Sequence, residues 1–187
     1  KLGQDIEGSS SWERLGNSVS VSANGKILAI GSEWKTNSPN TGSGHARVYQ
    51  YNDVSWVQLG DDIDGDAQGD KFGRSVSLSA DGNIVAIGAI YASDISAGHV
   101  KIYQYNDVSW TQLGTDIDGE VSGDAAGNSV SLIRDGTTVR VAIGANLNDG
   151  SFTNAGHVRV YEGSIDNQVI LNTSGNIAVN IPNVLSN

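Results

Sequence analysis

Cysteine and methionine are both absent, and proline occurs only twice, in a chain of 187 residues. Without cysteine there is no disulfide framework and no thiolate chemistry or thiolate metal site. Basic residues are scarce: 11 lysines and arginines against 21 acids leave a net charge of -10. That balance argues against nucleic acid and anionic membrane as partners, and favours cations or basic surfaces. No run approaches the roughly 20 apolar residues of a membrane-spanning helix, so membrane insertion is not expected. No stretch places apolar residues at the i, i+3, i+4, i+7 spacing of an amphipathic helix. The chain opens on Lys1 with no charged-then-apolar leader, and the expectation is a mature, processed or truncated product.

What is present is repetition. Leu59-Gly-Asp-Asp-Ile-Asp-Gly65 returns as Leu113-Gly-Thr-Asp-Ile-Asp-Gly119 and, more loosely, as Leu2-Gly-Gln-Asp-Ile-Glu-Gly8. Arg74-Ser-Val-Ser-Leu-Ser79 matches Asn17-Ser-Val-Ser-Val-Ser22 and Asn128-Ser-Val-Ser-Leu-Ile133. Gly98-His-Val-Lys-Ile-Tyr103 matches Gly44-His-Ala-Arg-Val-Tyr49 and Gly156-His-Val-Arg-Val-Tyr161. A period of about 55 residues means one supersecondary unit, each copy burying its apolar face against the next. In the middle unit Ser75–Ser79 alternates and reads as a strand with Val76 and Leu78 on one face. Asp81-Gly82 reads as a two-residue hairpin turn. Asn83–Gly88 is an apolar strand buried on both faces, Gly98–Tyr105 a third strand, and Ser109–Gly114 a fourth. The expected fold class is all-β, with three repeats of four antiparallel strands the size of propeller blades. The repeats run over residues 9–65, 66–119 and 120–162. Residues 1–8 read as a closing strand segment that could complete the third unit, and 163–187 as a C-terminal hairpin tail. A β-trefoil, also three four-stranded units, is the alternative.

Lys71-Phe-Gly-Arg-Ser-Val-Ser77 followed by Val85-Ala-Ile-Gly-Ala89 resembles the FG-GAP repeat of integrin α-subunit propellers and many extracellular proteins. The Phe72-Gly73 pair becomes Leu15-Gly16 and Ala126-Gly127 in the other units; the Gly88-Ala89 pair becomes Gly31-Ser32 and Gly144-Ala145. The resemblance implies a propeller scaffold in an extracellular or surface setting, serving adhesion or assembly without catalysis. Integrin-type blades often carry a calcium loop just before the Gly-Ala strand. Here that place holds only tight turns such as Ala80-Asp-Gly-Asn83, too poor in oxygens for six or more calcium ligands.

Acidic residues concentrate instead where one unit passes to the next: Asp61, Asp62, Asp64, Asp66 and Asp70, then Asp116, Asp118, Glu120 and Asp124. If calcium binds, Asp62, Asp64, Asp66 and Asp70 are its expected ligands, with Asp116, Asp118, Glu120 and Asp124 as a second set. The plainer reading is that Asp-Gly turns bond their own backbone. One histidine opens the third strand of each unit, at His45, His99 and His157; repetition in register points to a hydrogen bond that locks strands. Trp34, Lys35, Tyr91 and Phe152 lie in the loops after the second strand, which differ between units. Loops on a rigid scaffold carry recognition, so these are the candidate contacts for a protein or glycan partner. Other copies of this chain, or further blades upstream, are the other expected partners. No serine-nucleophile elbow, zinc-protease helix motif or phosphate loop is present, and no enzyme is expected. Asn172-Thr-Ser174 is a glycosylation acceptor pattern.

Overall fold

The structure is a computed structural model that describes residues 1–35, 42–91, 96–150, 152–165, 169–172 and 178–180, the last two segments as backbone only. The described residues contain strands and turns and no helix. Fifteen strands fall into three five-stranded antiparallel sheets. The first contains β1 (Ser18–Val21), β2 (Ile27–Ser32), β3 (His45–Tyr51), β4 (Trp56–Gln58) and β5 (Ile63–Asp64). The second repeats the plan with β6 (Phe72–Leu78), β7 (Ile84–Ala89), β8 (His99–Tyr105), β9 (Trp110–Gln112) and β10 (Ile117–Asp118). The third runs β11 (Ala126–Asp135), β12 (Thr138–Ala145), β13 (His157–Ser164), β14 (Val169–Asn172) and β15 (Ala178–Asn180). These are three open sheets rather than the single closed barrel that a β-trefoil requires, so the trefoil alternative fails.

Alternation along each strand sends one set of side chains to each face, and consecutive sheets pack face to face. Ala29, Ala46 and Val48 of the first sheet meet Phe72, Val76, Leu78, Val85 and Ile87 of the second. Ala86, Val100 and Ile102 of the second meet Leu132, Val141 and Ile143 of the third. The core is therefore two apolar seams built from equivalent positions. Serines sew the same seams. The Ser18 hydroxyl donates to Gly73 O (2.8 Å) and Ser75 to Gly127 O (2.7 Å), while Leu78 N donates to Ser20 Oγ and Leu132 N to Ser77 Oγ, both at 2.9 Å.

Three local expectations are revised. Asp81-Gly82 is not a two-residue turn. Residues 80–83 span the hairpin, with positive φ at Gly82 only, and Asp81 accepts from the Ser79 hydroxyl and from Asn83 N. Among the described residues the two-residue version occurs once, at Gly136-Thr137, between the paired Asp135 and Thr138. The fourth strand is broken: β4 pairs with β3 at Tyr49↔Gln58, then β5 resumes at Ala46↔Ile63, and the two extra residues bulge outward. Residues 1–8 do not lie beside β13. Leu2 O accepts from Trp56 Nε1 and Gln4 bonds Trp56 through its backbone, so the segment sits on the outer strand of the first sheet. Leu59 O receives Trp110 Nε1 in the same way across the next seam. Beside β13 lies β14, from the tail, paired over Tyr161–Ser164. The turn of that tail hairpin, including Thr173 and Ser174 of the glycosylation pattern, lies outside the described residues.

Candidate functional site

The acids and histidines read from the sequence come together at the seams, joined by a residue type the sequence reading passed over. Two positions after each histidine stands a cation: Arg47, Lys101 and Arg159. Strand alternation puts both on the same face, and each linker between sheets brings an acid across to them. In the second sheet Lys101 Nζ lies 2.5 Å from Asp66 and 3.5 Å from Asp116, with His99 Nδ1 3.6 Å from Asp116. In the first sheet Arg47 forks onto Asp62 (2.8 and 3.1 Å) and reaches Glu13 (2.8 Å). In the third, Glu120 pairs with Arg159, and His157 Nδ1 stands 4.0 Å away.

Burial alone would raise the Asp62 carboxyl, but hydrogen bonds from Arg47 and Gln58 outweigh it and hold the group well below the usual carboxylate range. Glu13 follows the same logic, its burial outweighed by Ser9 and by the Arg47 charge. Burial pushes His45 and His99 the other way, toward the neutral form, and the cation two residues along adds to it. His45 is fully buried; its Nε2 is 3.1 Å from Glu13 Oε1 but misaligned, and neither ring nitrogen makes a hydrogen bond. The strand-locking hydrogen bond expected of it is therefore not made.

The eight candidate calcium ligands do not converge on one point. Asp62 and Asp64 both engage Lys35, at 3.3 and 2.5 Å. Asp66 goes to Lys101. Asp70 and Asp124 are buried caps that accept from Ala67 N and Val121 N. Asp116 accepts from Gln112, Glu120 pairs with Arg159, and Asp118 is exposed in β10. Among the described residues, Asp66, His99 and Asp116 bring three ligand atoms within 4.8 Å of one another, and the Lys101 ammonium is already there.

The loops after β2, β7 and β12 gather with the inter-sheet linkers at one end of the array: Tyr91 N donates to Asp70 O, Leu147 N to Asp124 O and Gly69 N to Gly42 O. Trp34 is half-buried, its ring against Gly42, and Lys35 is held by Asp62 and Asp64. Tyr91 is 47% exposed with the Lys71 ammonium 4.6 Å above its ring. Phe152 is 78% exposed. A fourth aromatic, Trp12, was missed by the sequence reading. It is 76% exposed and holds φ of 67° where the other linkers have Gly69 and Gly123. The signal was legible as a tryptophan standing in a glycine position of the repeat.

Residues 63–103 match the FG-GAP repeat. The matched stretch runs from β5 through β8. No curated protein matches the chain. Among solved structures, the chain is similar to one described as a 6-phosphogluconolactonase from Bacteroides uniformis, at 16% identity and a TM-score of 0.53. The alignment covers 88% of this chain and 40% of that one, and at such identity it speaks for the fold alone.

In the FG-GAP segment the name residues have physical jobs. Phe72 is fully buried with its ring edge-on to Tyr103, centroids 6.4 Å apart. Gly73 takes φ of 84°, and a methyl there would run into His45 O of the first sheet. Gly88, the glycine of the Gly-Ala pair, presses its backbone on Gly127 of the third sheet as Gly31 does on Gly73. The two glycines of the motif thus belong to one joint, each sheet supplying half. Ala126 stands where Phe72 would be, and a small cavity opens there among Ile117, Ile143, His157 and Tyr161.

Proposed function

We propose that the three sheets are consecutive blades of a β-propeller scaffold and that this scaffold is a non-catalytic interaction module, working outside the cell or on a surface in adhesion or assembly. The observation that carries this is a division of labour. Residues that recur with the period are consumed in seams: the glycines back to back, the serines bonded across, the histidines and acids packed against Arg47, Lys101 or Arg159. Residues that do not recur gather at one end, where Tyr91, Phe152 and Trp12 offer aromatic surface to a protein or glycan. The histidines support no enzyme reading: two are buried, and each faces an acid shared with a cation. The FG-GAP match supports the propeller assignment.

A calcium-dependent lectin or adhesin is the second reading, with Asp66, His99 and Asp116 as its observation. A glycan array read with and without chelator, on the parent and on a Tyr91→Ala, Phe152→Ala double variant, separates the two. Binding that survives chelator and falls at least about tenfold in the double variant supports the loop end. Binding abolished by chelator and indifferent to the double variant supports calcium. Release of free sugar from the array would contradict the non-catalytic reading.

A further inference from the structure

The two internal seams are the same joint used twice, and the chain carries one unmated half of that joint at each end of its array. On the first sheet the half is the face of Val19 and Val21, 63% and 59% exposed, where the equivalent Val76 and Leu78 are 7% and 6% exposed. On the third sheet it is the face of Val158, 69% exposed, where the equivalent Val100 is buried at 0%. The special backbone of the joint is kept at both ends. Gly16 holds φ of 93°, matching Gly73 and Gly127 at 84°, yet nothing lies within 4 Å of the place its Cβ would occupy. Gly144 holds the register of Gly31 and Gly88, but the three atoms nearest to where its Cβ would lie all belong to Ser129 of its own sheet.

The rim of the first half is already in place. Residues 1–6 lie beside the first sheet as the outer strand of a preceding sheet does, and a groove runs between them and Gly16, Val19, Leu28 and Ile30. The groove is what remains when the three inner strands of a sheet are taken away and its outermost strand is left. The third sheet has the converse shape. Its β14 covers β13 at Tyr161–Ser164, the place of β4, but no described strand pairs with His157 and Val158, the place that β5 and β10 fill in the other sheets.

We propose that the third sheet of one copy seats in the first-sheet groove of a second copy, head to tail. This rests on the propeller reading above. Gly144 then meets Gly16, as Gly88 meets Gly127. Ser129 Oγ donates to Gly16 O and Val21 N donates to Ser131 Oγ, as their counterparts do across both internal seams. Ile6 and Glu7 of the receiving copy pair with Val158 and His157, as Ile117 and Asp118 pair with Val100 and His99. One position departs from the internal pattern: Arg140, ion-paired to Glu162, stands where Ile27 and Ile84 are buried. It lies at the far end of β12 from Gly144, so the joint is polar at that margin. A heterologous joint closes into a ring when its rotation permits. Two copies joined at both ends make six sheets, within the range of closed propellers.

The test is light scattering at micromolar concentration on the parent, on Val21→Lys and on Val158→Lys. Both positions are exposed, so both variants are expected to fold, which circular dichroism checks. The parent should weigh twice 19.5 kDa. Each variant alone should associate at least about tenfold more weakly. Mixing the two should restore the dimer, because the intact third sheet of Val21→Lys can enter the intact first sheet of Val158→Lys. A parent that stays at 19.5 kDa overturns the proposal, as does a dimer indifferent to both changes or variants that mixing does not rescue. Loop-end binding on the glycan array is read on the same proteins; a parent that assembles but binds nothing there would count against the interaction reading alone.

Discussion

At the scale of single residues the repeat offers internal controls. Phe72 and Ala126 occupy one position in two sheets, the first filled and the second leaving a cavity. Phe72→Ala should cost about 3–5 kcal/mol, as emptying a packed core site does. Ala126→Phe should raise the melting temperature, because the Tyr161 edge and Ile143 await a ring as Tyr103 and Ile87 do in the second sheet. Thermal denaturation of both variants checks the pair; a destabilising Ala126→Phe would show that the third sheet has relaxed around alanine. The buried histidines set a pH dependence. His45 and His99 are held below their ordinary value in the folded chain, by burial first. The unfolded chain therefore binds more protons as pH falls below about 6.5, and their contribution, complete above that pH, is lost on acidification. The urea midpoint should fall from pH 7 to 5, and less steeply in a His45→Asn, His99→Asn variant. Asp62 adds its loss from the ordinary carboxylate range downward, where the unfolded carboxyl takes up its proton while the folded one resists. An unchanged slope in the double variant would place the titration elsewhere.

At the scale of the strand and its neighbour, glycine decides how closely two sheets approach. Gly88 and Gly144 hold the same register in the second and third sheets, but only Gly88 faces the backbone of a following sheet, at Gly127 O. In a chain dilute enough to be monomeric, Gly88→Ala should destabilise by more than about 2 kcal/mol, since backbone cannot yield, whereas the atoms nearest a Gly144→Ala methyl belong to Ser129, whose hydroxyl can turn away, and the cost should be under about 1 kcal/mol. Comparable losses measured by denaturant unfolding would mean that the close approach is not what Gly88 serves. The order and type of the inner strands were legible from alternation and from the recurring Ser-x-Ser, Gly-Ala and Gly-His texts. The broken fourth strand was not, because Trp-x-Gln-Leu-Gly reads as one strand and the two-residue bulge is set by how the linker must turn into the next sheet. The hairpin at Asp81 was misread because Asp-Gly supports several loop lengths. The side-chain bonds of Ser79 and Asp81 choose the longer one.

At the scale of the whole molecule, the acidic sequence is mostly an internal matter. Asp62, Asp64, Asp66, Asp116 and Glu120, which read as calcium ligands, belong to Arg47, Lys35, Lys101 and Arg159, long side chains reaching in from β3, the loop after β2, β8 and β13. The sequence showed both partners without showing that they meet, since Asp66 and Lys101 lie 35 residues apart. Because those cations already neutralise the acids, chelator should leave the melting temperature within about 1 °C; a larger drop would put a divalent ion in the fold. The central claim is that equivalent residues build each seam, so that the middle sheet, clamped on both faces, is the most stable part. Amide hydrogen exchange, run dilute enough to keep the chain monomeric, tests it most directly. The account predicts slowest exchange in β7 and β8, with faster exchange in β1 and β13, each of which presents an unmated face. Exchange in β7 and β8 no slower than in β1 and β13 would contradict it.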